Sequence, residues 1–436
     1  MARLGSVRRL GLGALSCLLS CSTNGGEPPL GKLADDAELL SFEPPPEDGP
    51  KLGAIANVTP VLERPTRQAR EIGYLHAGAR VARSPEPITK SKDCPDGYYA
   101  VHPRGVVCVN HGATLDLRHP TLAAMAIQPS LDEPLPYAYA RATSDTPLFE
   151  RDPEHSDAVR ALGTLKKGAG MAVVGSWTAR VPDGGTERLA LLPSGRFVRA
   201  ADLGAARVPE LSGQAAEDDR LAVAFVVKRG VSTFRLGKEP ERVGGLDYHA
   251  KLPLSGRSRD AAGAIFLETA DALWVRKQDV TSVLARKNLP EVARTGRRWI
   301  DVSVGTGTLV LYEGARPIFA TLVATARPDE RAKGASVRLG TFEVTSKHVT
   351  HLRADPERAG ERFPVYDLPW ALELSSGQLL YGAYFHDRFG MAQGTRDFAL
   401  SPADARRVFE FALPELPPGW HAVRAEGERT PVVVRD

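Results

Sequence analysis

Two side chains near the C-terminus have the types that acid–base chemistry needs. Leu379-Leu380-Tyr381-Gly382-Ala383-Tyr384-Phe385-His386-Asp387-Arg388-Phe389-Gly390 carries His386, and Gly394-Thr395-Arg396-Asp397-Phe398-Ala399-Leu400 carries Asp397. An imidazole and a carboxylate that meet can pass a proton to and from an attacking water. Each also has a plain structural use: His386 as a hydrogen-bonded histidine, Asp397 as the partner of Arg388, Arg396 or Arg406. Thiol chemistry is excluded in this stretch, because the four cysteines are Cys17, Cys21, Cys94 and Cys108 and all precede it. The sequence has no Gly-rich phosphate loop, no His-Glu metal helix and no serine in a nucleophile elbow. Lys347-His348 with His351 lacks an acidic or thiol partner at ligand spacing, so neither a metal nor a cofactor is expected.

The elements that must position these residues read as β-structure. Trp299-Ile300-Asp301-Val302-Ser303-Val304, Thr308-Leu309-Val310-Leu311-Tyr312 and Ile318-Phe319-Ala320-Thr321-Leu322-Val323 are strand runs, with Glu313-Gly314-Ala315-Arg316-Pro317 as the turn before the last. Ser401-Pro402-Ala403-Asp404 predicts a helix start. Ser401 can cap, Pro402 suits the first turn, and the Asp404 carboxylate meets free amides. Ala405, Val408, Phe409 and Ala412 then share one apolar face. The prolines at 414, 417 and 418 end the helix, and Gly419-Trp420-His421-Ala422-Val423 reads as a last strand with Trp420 in the core.

At 436 residues the chain predicts two to four domains. A net charge of +3, with no basic stripe interleaved with aromatics, excludes nucleic acid as a partner and gives no basis for adsorption to a membrane surface. From residue 53 onward, short apolar runs such as Ile72-Gly73-Tyr74-Leu75, Tyr98-Tyr99-Ala100-Val101 and Val106-Val107-Cys108-Val109 alternate with turn residues, which predicts a small β-barrel over 53–118. Phe197-Val198-Arg199-Ala200-Ala201-Asp202-Leu203 and Trp274-Val275-Arg276-Lys277-Gln278-Asp279-Val280 share the pattern aromatic-Val-Arg-x-x-Asp-aliphatic. Chance also yields so short a match. Read as a repeat, it predicts two further β modules at about 160–205 and 221–285, with residues 215–220 as a polar linker or short helix.

The N-terminus reads as a targeting segment. Arg3, Arg8 and Arg9 precede an apolar run too short to span a bilayer. Leu18-Leu19-Ser20-Cys21 resembles a bacterial lipobox, which implies that Cys21 is acylated and becomes the first mature residue. Several acyl chains on one residue give a firm anchor. Ser22 after the cysteine implies the outer membrane, by resemblance to Gram-negative lipoproteins. An ordinary secretory signal is the alternative. Residues 22–52, with Gly-Gly-Glu-Pro-Pro and Glu-Pro-Pro-Pro-Glu-Asp-Gly-Pro, cannot build a core and form a flexible tether. In an exported protein, Cys94 and Cys108 at the two ends of one hairpin are expected to pair. A zinc site there would need more ligands than the nearby His102 and His111 supply.

The segment around Tyr381 and Asp397 resembles the active-site segment of the L,D-transpeptidase catalytic domain, the YkuD-type family that cross-links peptidoglycan. Trp299 to Val323 resembles the start of that domain. Leu339-Gly340-Thr341-Phe342-Glu343-Val344 is similar to its Pro-x-Gly-x-Phe element, with Arg338 where the family has proline. The resemblance places the family's opening His on Tyr381, its Gly on Gly382, the Ser on Gly394, the base His on Thr395, the next Gly on Arg396, the nucleophilic Cys on Asp397 and the trailing Asn or Arg on Ala399. Of these positions only Gly382 keeps the family residue. The family reaction needs a thiolate, an imidazole and an oxyanion hole. The first two are missing together. Residues 53–118 are similar to the bacterial SH3-like domains found with cell-wall enzymes, on Gly73-Tyr74-Leu75 before Ala77-Gly78-Ala79.

The expected fold is mainly β: SH3-like β-barrel modules followed by a β-rich L,D-transpeptidase-like domain with a few helices. Its expected parts are a lipoprotein signal peptide (1–21), a tether (22–52), an SH3-like domain (53–118), a linker with a second β module (119–220), a third module (221–290) and the L,D-transpeptidase-like domain (297–424). The expected function is that of a periplasmic lipoprotein on the outer membrane, catalytically inactive, binding peptidoglycan stem peptides. The alternatives are an active transpeptidase or hydrolase using Asp397 and His386, and an envelope scaffold. Tyr381, Gly382, His386, Thr395 and Asp397 are the vestigial site positions. Oligomeric state is not legible in the sequence.

Overall fold

β-Branched and aromatic runs broken by Gly, Pro, Asn and Asp fold as short strands joined by tight turns. The computed structural model describes residues 42–217, 220–326, 337–353, 364–393 and 396–436. Among them the fold is mainly β, with thirty-three strands and two α-helices, α1 (Pro120–Ala124) and α2 (Pro402–Phe411). Residues Phe42–Asp436 form one compact unit. Cys21, the signal segment, most of the tether, Gly394 and Thr395 lie outside the described residues. No helix among the described residues is long and apolar enough to cross a membrane.

Three stretches share one pairing scheme. In the first, Lys51–Ala54 pairs with Arg80–Ala82 and Ala113–Thr114, Thr59–Leu62 forms a hairpin with Glu71–Leu75, and Val106–Cys108 joins Cys94–Ala100 to that hairpin through Leu62. In the second, Ala138–Ala142 pairs with Gly170–Val173 and Leu203–Ala205, Thr146–Arg151 forms a hairpin with Val159–Leu165, and Phe197–Arg199 joins Thr186–Leu191 to it through Phe149. In the third, Ala222–Val226 pairs with Lys251–Ala261 and Val280–Leu284, Val231–Leu236 forms a hairpin with Pro240–Leu246, and Trp274–Arg276 joins Ala264–Thr269 to it through Phe234. Each hairpin has a register shift at the residue that receives this joint: Leu62, Phe149 and Phe234. A bulge there bends the strand out of a flat ribbon, while the sheets stay open and do not close into the barrel expected over 53–118. The second set opens at Ala138, within the stretch that the sequence reading left as linker.

The repeated sequence pattern has a structural counterpart. Phe197–Arg199 and Trp274–Arg276 both run into a single 3-10 turn, Ala200–Asp202 and Lys277–Asp279, and then into the closing strand. In each turn the aspartate carbonyl accepts the N–H of the residue just after the opening strand, Thr143 at 2.8 Å and Val227 at 3.3 Å. The arginine of each copy lies over the aromatic ring at the bulge: Arg199 over Phe149 at 5.8 Å, Arg276 over Phe234 at 5.0 Å. In the first set a disulfide, Cys94–Cys108, lies where the other two have this turn and its arginine. His102 and His111, near that disulfide, each bond a backbone carbonyl, of Pro45 and Asp93.

The C-terminal region is built on the long strand Gly340–Leu352. One edge pairs with Asp367–Leu374; the other pairs first with Pro431–Arg435 and then with Ala422–Arg424. Pro431–Arg435 runs parallel to Arg298–Ser303, which continues through Thr308–Glu313 and Arg316–Leu322. Strand Arg298–Ser303, whose last five residues are buried, lies in the middle of this sheet, and its buried Asp301 is paired with Arg286 at 3.0 Å and Arg435 at 2.9 Å. Ala422–Arg424 also pairs with Glu71–Leu75, so one sheet runs from the C-terminal region into the first set of strands. This crossing requires glycine at 73. A Cβ there would stand 2.4 Å from the Ala422 carbonyl oxygen and 2.6 Å from the Trp420 ring.

Candidate functional site

The segment singled out by its chemistry folds as strand, loop, strand and helix. Leu379–Gly382 follows the turn after Asp367–Leu374 and pairs antiparallel with it. Phe398–Leu400 returns parallel to Leu379–Gly382, setting Tyr381 opposite Ala399 and Gly382 opposite Leu400. α2 starts at once. The Ser401 hydroxyl accepts the Asp404 N–H at 3.3 Å, and Pro402 opens the first turn. The Asp404 carboxylate also accepts the Gly213 N–H at 2.8 Å and the Thr321 hydroxyl at 2.5 Å, tying α2 to two distant segments.

Tyr381 is buried and stacks on Phe385, with ring centroids 6.5 Å apart. Gly382 sits where a Cβ would stand 3.3 Å from the Ala405 methyl of α2 and from Pro369. Asp397 is turned toward the backbone: its Oδ1 accepts the Leu379 N–H at 3.0 Å, with Arg396 Nε 3.9 Å away. Burial raises its carboxyl above the ordinary range, and the Leu379 and Arg396 contacts oppose that shift. His386 Nδ1 accepts the Arg388 N–H at 3.3 Å, and its ring lies between Phe385 and Phe389. Burial pulls this imidazole down to about 4. No hydrogen bond or ion pair joins His386 to Asp397. The loop between the strands instead docks on the third module, where Arg229 meets Asp387 at 3.2 Å and the Tyr248 hydroxyl donates to the Asp387 carbonyl at 3.2 Å.

A different polar cluster lies where the first set of strands meets the C-terminal sheet. Tyr74, His76, Ser346, His348, His351, Glu373 and His421 gather there. His76 and His421 rings meet edge-on at 4.8 Å, and His348 and His351 at 4.9 Å. The Tyr74 hydroxyl and His348 Nδ1 are 2.9 Å apart, His348 Nε2 and Ser346 Oγ 2.8 Å, and Ser346 donates to Glu373 at 2.8 Å. Because the Ser346 proton goes to Glu373, Ser346 must accept from His348 Nε2–H. His348 Nδ1 therefore accepts from Tyr74, which fixes a neutral tautomer. Burial lowers all four imidazoles, His76 to about 4. His76 Nε2, His351 Nδ1 and both ring nitrogens of His421 have no hydrogen-bond partner among the described residues. No group of three or more His, Cys, Asp or Glu among the described residues is placed to hold a metal ion. Sequence reading found Lys347-His348 and His351 but not the partners that matter, which come from three other segments. Lys347 itself points elsewhere: its Nζ donates to the Ala412 carbonyl at 2.7 Å and lies 4.4 Å from the Phe409 ring centre.

No family model matches the sequence, and neither does any curated protein. Similar solved structures include an L,D-transpeptidase from Stackebrandtia nassauensis, at 19% identity and a TM-score of 0.23. That match covers 32% of this chain and 55% of that one, so the chain spans about half the length of that relative. An L,D-transpeptidase from Mycobacterium smegmatis matches at 12% identity and a TM-score of 0.24, over 53% of this chain and 99% of that one. L,D-transpeptidase 3 from Mycobacterium tuberculosis, in complex with a faropenem-derived adduct, matches at 14% identity and a TM-score of 0.24, over 42% of this chain and 78% of that one. Likeness at this level does not establish membership of the family.

Proposed function

We propose that the chain is a cell-envelope lipoprotein related to the L,D-transpeptidases that has lost their chemistry and binds peptidoglycan stem peptides. One observation carries the reading. Asp397, where the resemblance places the nucleophile, spends its Oδ1 on the Leu379 N–H, and His386 is neutral, partly buried and bonded to its own loop. A carboxylate held by backbone and an imidazole engaged elsewhere supply no thiolate, no base and no acid–base pair. The parallel strands, the capped helix and the close-packed Gly382 around them support the reading of a kept frame. Binding without turnover fits a kept frame with exchanged chemical groups. The three β modules with one pairing scheme support an SH3-like identity, and the Cys94–Cys108 disulfide supports an oxidising, extracytoplasmic location. In this reading Cys21 carries the lipid that holds the protein to the outer membrane.

Purified protein incubated with stem-peptide donor and acceptor is expected to yield no cross-linked product, and to sediment with isolated sacculi. Turnover that Asp397→Asn abolishes would refute the loss of chemistry. Failure to sediment would refute binding and leave an envelope scaffold. Cys21→Ser is expected to move the protein from the membrane fraction to the soluble fraction.

A further inference from the structure

The second strand of each hairpin carries the same local sequence. Ile72-Gly73-Tyr74-Leu75, Leu162-Gly163-Thr164-Leu165 and Val243-Gly244-Gly245-Leu246 read aliphatic-Gly-x-Leu. In each, the aliphatic residue is the extra one at the bulge. Val61 pairs with Gly73 and Leu62 with Glu71; Leu148 pairs with Gly163 and Phe149 with Ala161; Thr233 pairs with Gly244 and Phe234 with Arg242. The three glycines therefore occupy one position in the pairing scheme, and none of them is at positive φ.

The first is glycine because a strand lies on it. Ala422–Arg424 pairs antiparallel with Glu71–Leu75 through Gly73 and Tyr74 and leaves no room for a Cβ at 73. At Gly244 a Cβ would meet the Thr233 hydroxyl at 3.3 Å, and at Gly163 it would meet nothing within 4 Å among the described residues. Glycine inside a strand costs entropy and gives up packing, and it often marks a place where another backbone comes close. The outer side of Val159–Leu165 has no partner strand among the described residues; a single bridge, Ala158 to Arg180, touches the chain just before it. Every residue from Arg160 to Thr164 is exposed, Leu162 included. Proteins blunt such an edge with proline, lysine or charge. The equivalent strand of the third module has that protection in Pro240, Glu241 and Arg242. Val159–Leu165 lacks it: its one charge, Arg160, is paired with Glu150 on the neighbouring strand at 2.7 Å.

We propose that Val159–Leu165 is the edge through which two copies of this chain pair, antiparallel, into one continuous sheet. The order of charges along this stretch favours a second copy as the occupant. Asp152, Glu154 and Asp157 precede the strand, and Lys166 and Lys167 follow it. An antiparallel pair centred on Leu162 sets Lys167 of each copy beside Asp157 of the other, whereas a parallel pair sets like charges together. Asp157 meets Arg180 at 3.1 Å but is 71% exposed, so it is open to a second cation. Leu162 then packs on its own counterpart, and Gly163 faces Ala161 of the other copy, where the absent side chain lets the backbones approach. A pair of short strands is a small interface, so the association is reversible and concentration-dependent. The first module shows that a bulged strand of this kind accepts a partner on its outer side.

Sedimentation velocity of the purified full chain over a concentration series is expected to show a monomer–dimer equilibrium. Leu162→Lys sets two charges face to face, and Gly163→Val fills the space that the second backbone needs. Each is expected to weaken dimerisation about tenfold or more. Both side chains project into open space in the monomer, so an unchanged urea midpoint shows that the fold is intact. Asp157→Lys and Lys167→Asp are each expected to weaken self-association. An equimolar mixture of those two variants is expected to restore it, because every contact then joins opposite charges. A chain that stays monomeric at all concentrations, a dimer indifferent to Leu162→Lys and Gly163→Val, or a mixture no stronger than its components would overturn the proposal. A monomer whose Leu162→Lys variant fails to sediment with sacculi would overturn it too, and would give the edge to another occupant.

Discussion

The Asp397 segment and the histidine junction differ in how their polar groups came together. In the first, every reactive-looking side chain is within one short stretch, and each is absorbed locally: Asp397 by the Leu379 N–H, His386 by the Arg388 N–H. In the second, four histidines converge from three separate parts of the chain, and several ring nitrogens have no hydrogen-bond partner among the described residues. A stretch that spells chemistry in order can be structurally inert. A cluster with no signature in order can carry the least satisfied groups in the fold. The physical reason is that short-range hydrogen bonds form with whatever backbone is adjacent, whereas long-range packing fixes side chains before all their polar atoms are matched.

The largest test of this contrast is acid. His76 is held at about 4 against 6.5 for an exposed imidazole, so below about 6.5 the unfolded chain takes up a proton that the native state refuses. Stability is full above that pH and falls as pH drops toward 4. His76 alone accounts for about 3 kcal/mol, and His348, His351 and His421 act in the same direction. Urea denaturation at a series of pH values should show His76→Gln flattening the loss between pH 6.5 and 4 by about that amount. Asp367 has the opposite sign. Burial lifts it to about 7, so the native state keeps a proton that the unfolded chain has released, and its contribution is lost as pH rises from about 4 through 7. Asp367→Asn should remove that second loss and leave the first.

Next in size are two glycines that probe the same two regions. Gly73→Ala at the junction forces a Cβ against the Ala422 carbonyl and the Trp420 ring, and should cost about 3 kcal/mol. Gly382→Ala meets the Ala405 methyl, the Pro369 ring and the Pro369 carbonyl oxygen, all at 3.3 Å, and should cost about 1 kcal/mol by the same measurement. Equal costs would mean that the two regions are equally tight. Replacing Cys94 and Cys108 by serine should lower stability by about 3 kcal/mol, the chain-entropy value for a loop of this length. A much smaller loss would show that the first module rests on its sheet contacts with Ala422–Arg424 instead of the crosslink.

Asp397 supplies an effect as small as that of Gly382. Asp397→Ala removes the acceptor of a partly buried N–H and should cost about 1–2 kcal/mol, whereas Asp397→Asn keeps an oxygen in place and should cost less. Thermal or urea unfolding of both variants decides it. A loss for the asparagine as large as for the alanine would mean that the negative charge, and not the hydrogen bond, is what the site uses.

Much of the local structure was legible in the residues. The start of α2 followed from Ser401, Pro402 and Asp404, and the Cys94–Cys108 pairing from hairpin spacing and export. The echo between residues 197–203 and 274–280 became a strand and a 3-10 turn repeated with the same bonds. These are set by neighbours a few residues apart, so the sequence by itself determined them. What only the tertiary structure decided depends on segments that meet at long range. Tyr74 reaches His348 across 274 residues, Gly213 reaches Asp404 across 191, and strand Glu71–Leu75 finds its partner in Ala422–Arg424. No spacing rule links such positions, because the side-chain period of a strand tells which face is buried but not which strand lies beside it. The surroundings of His421, whose ring nitrogens have no hydrogen-bond partner among the described residues, were settled at that level.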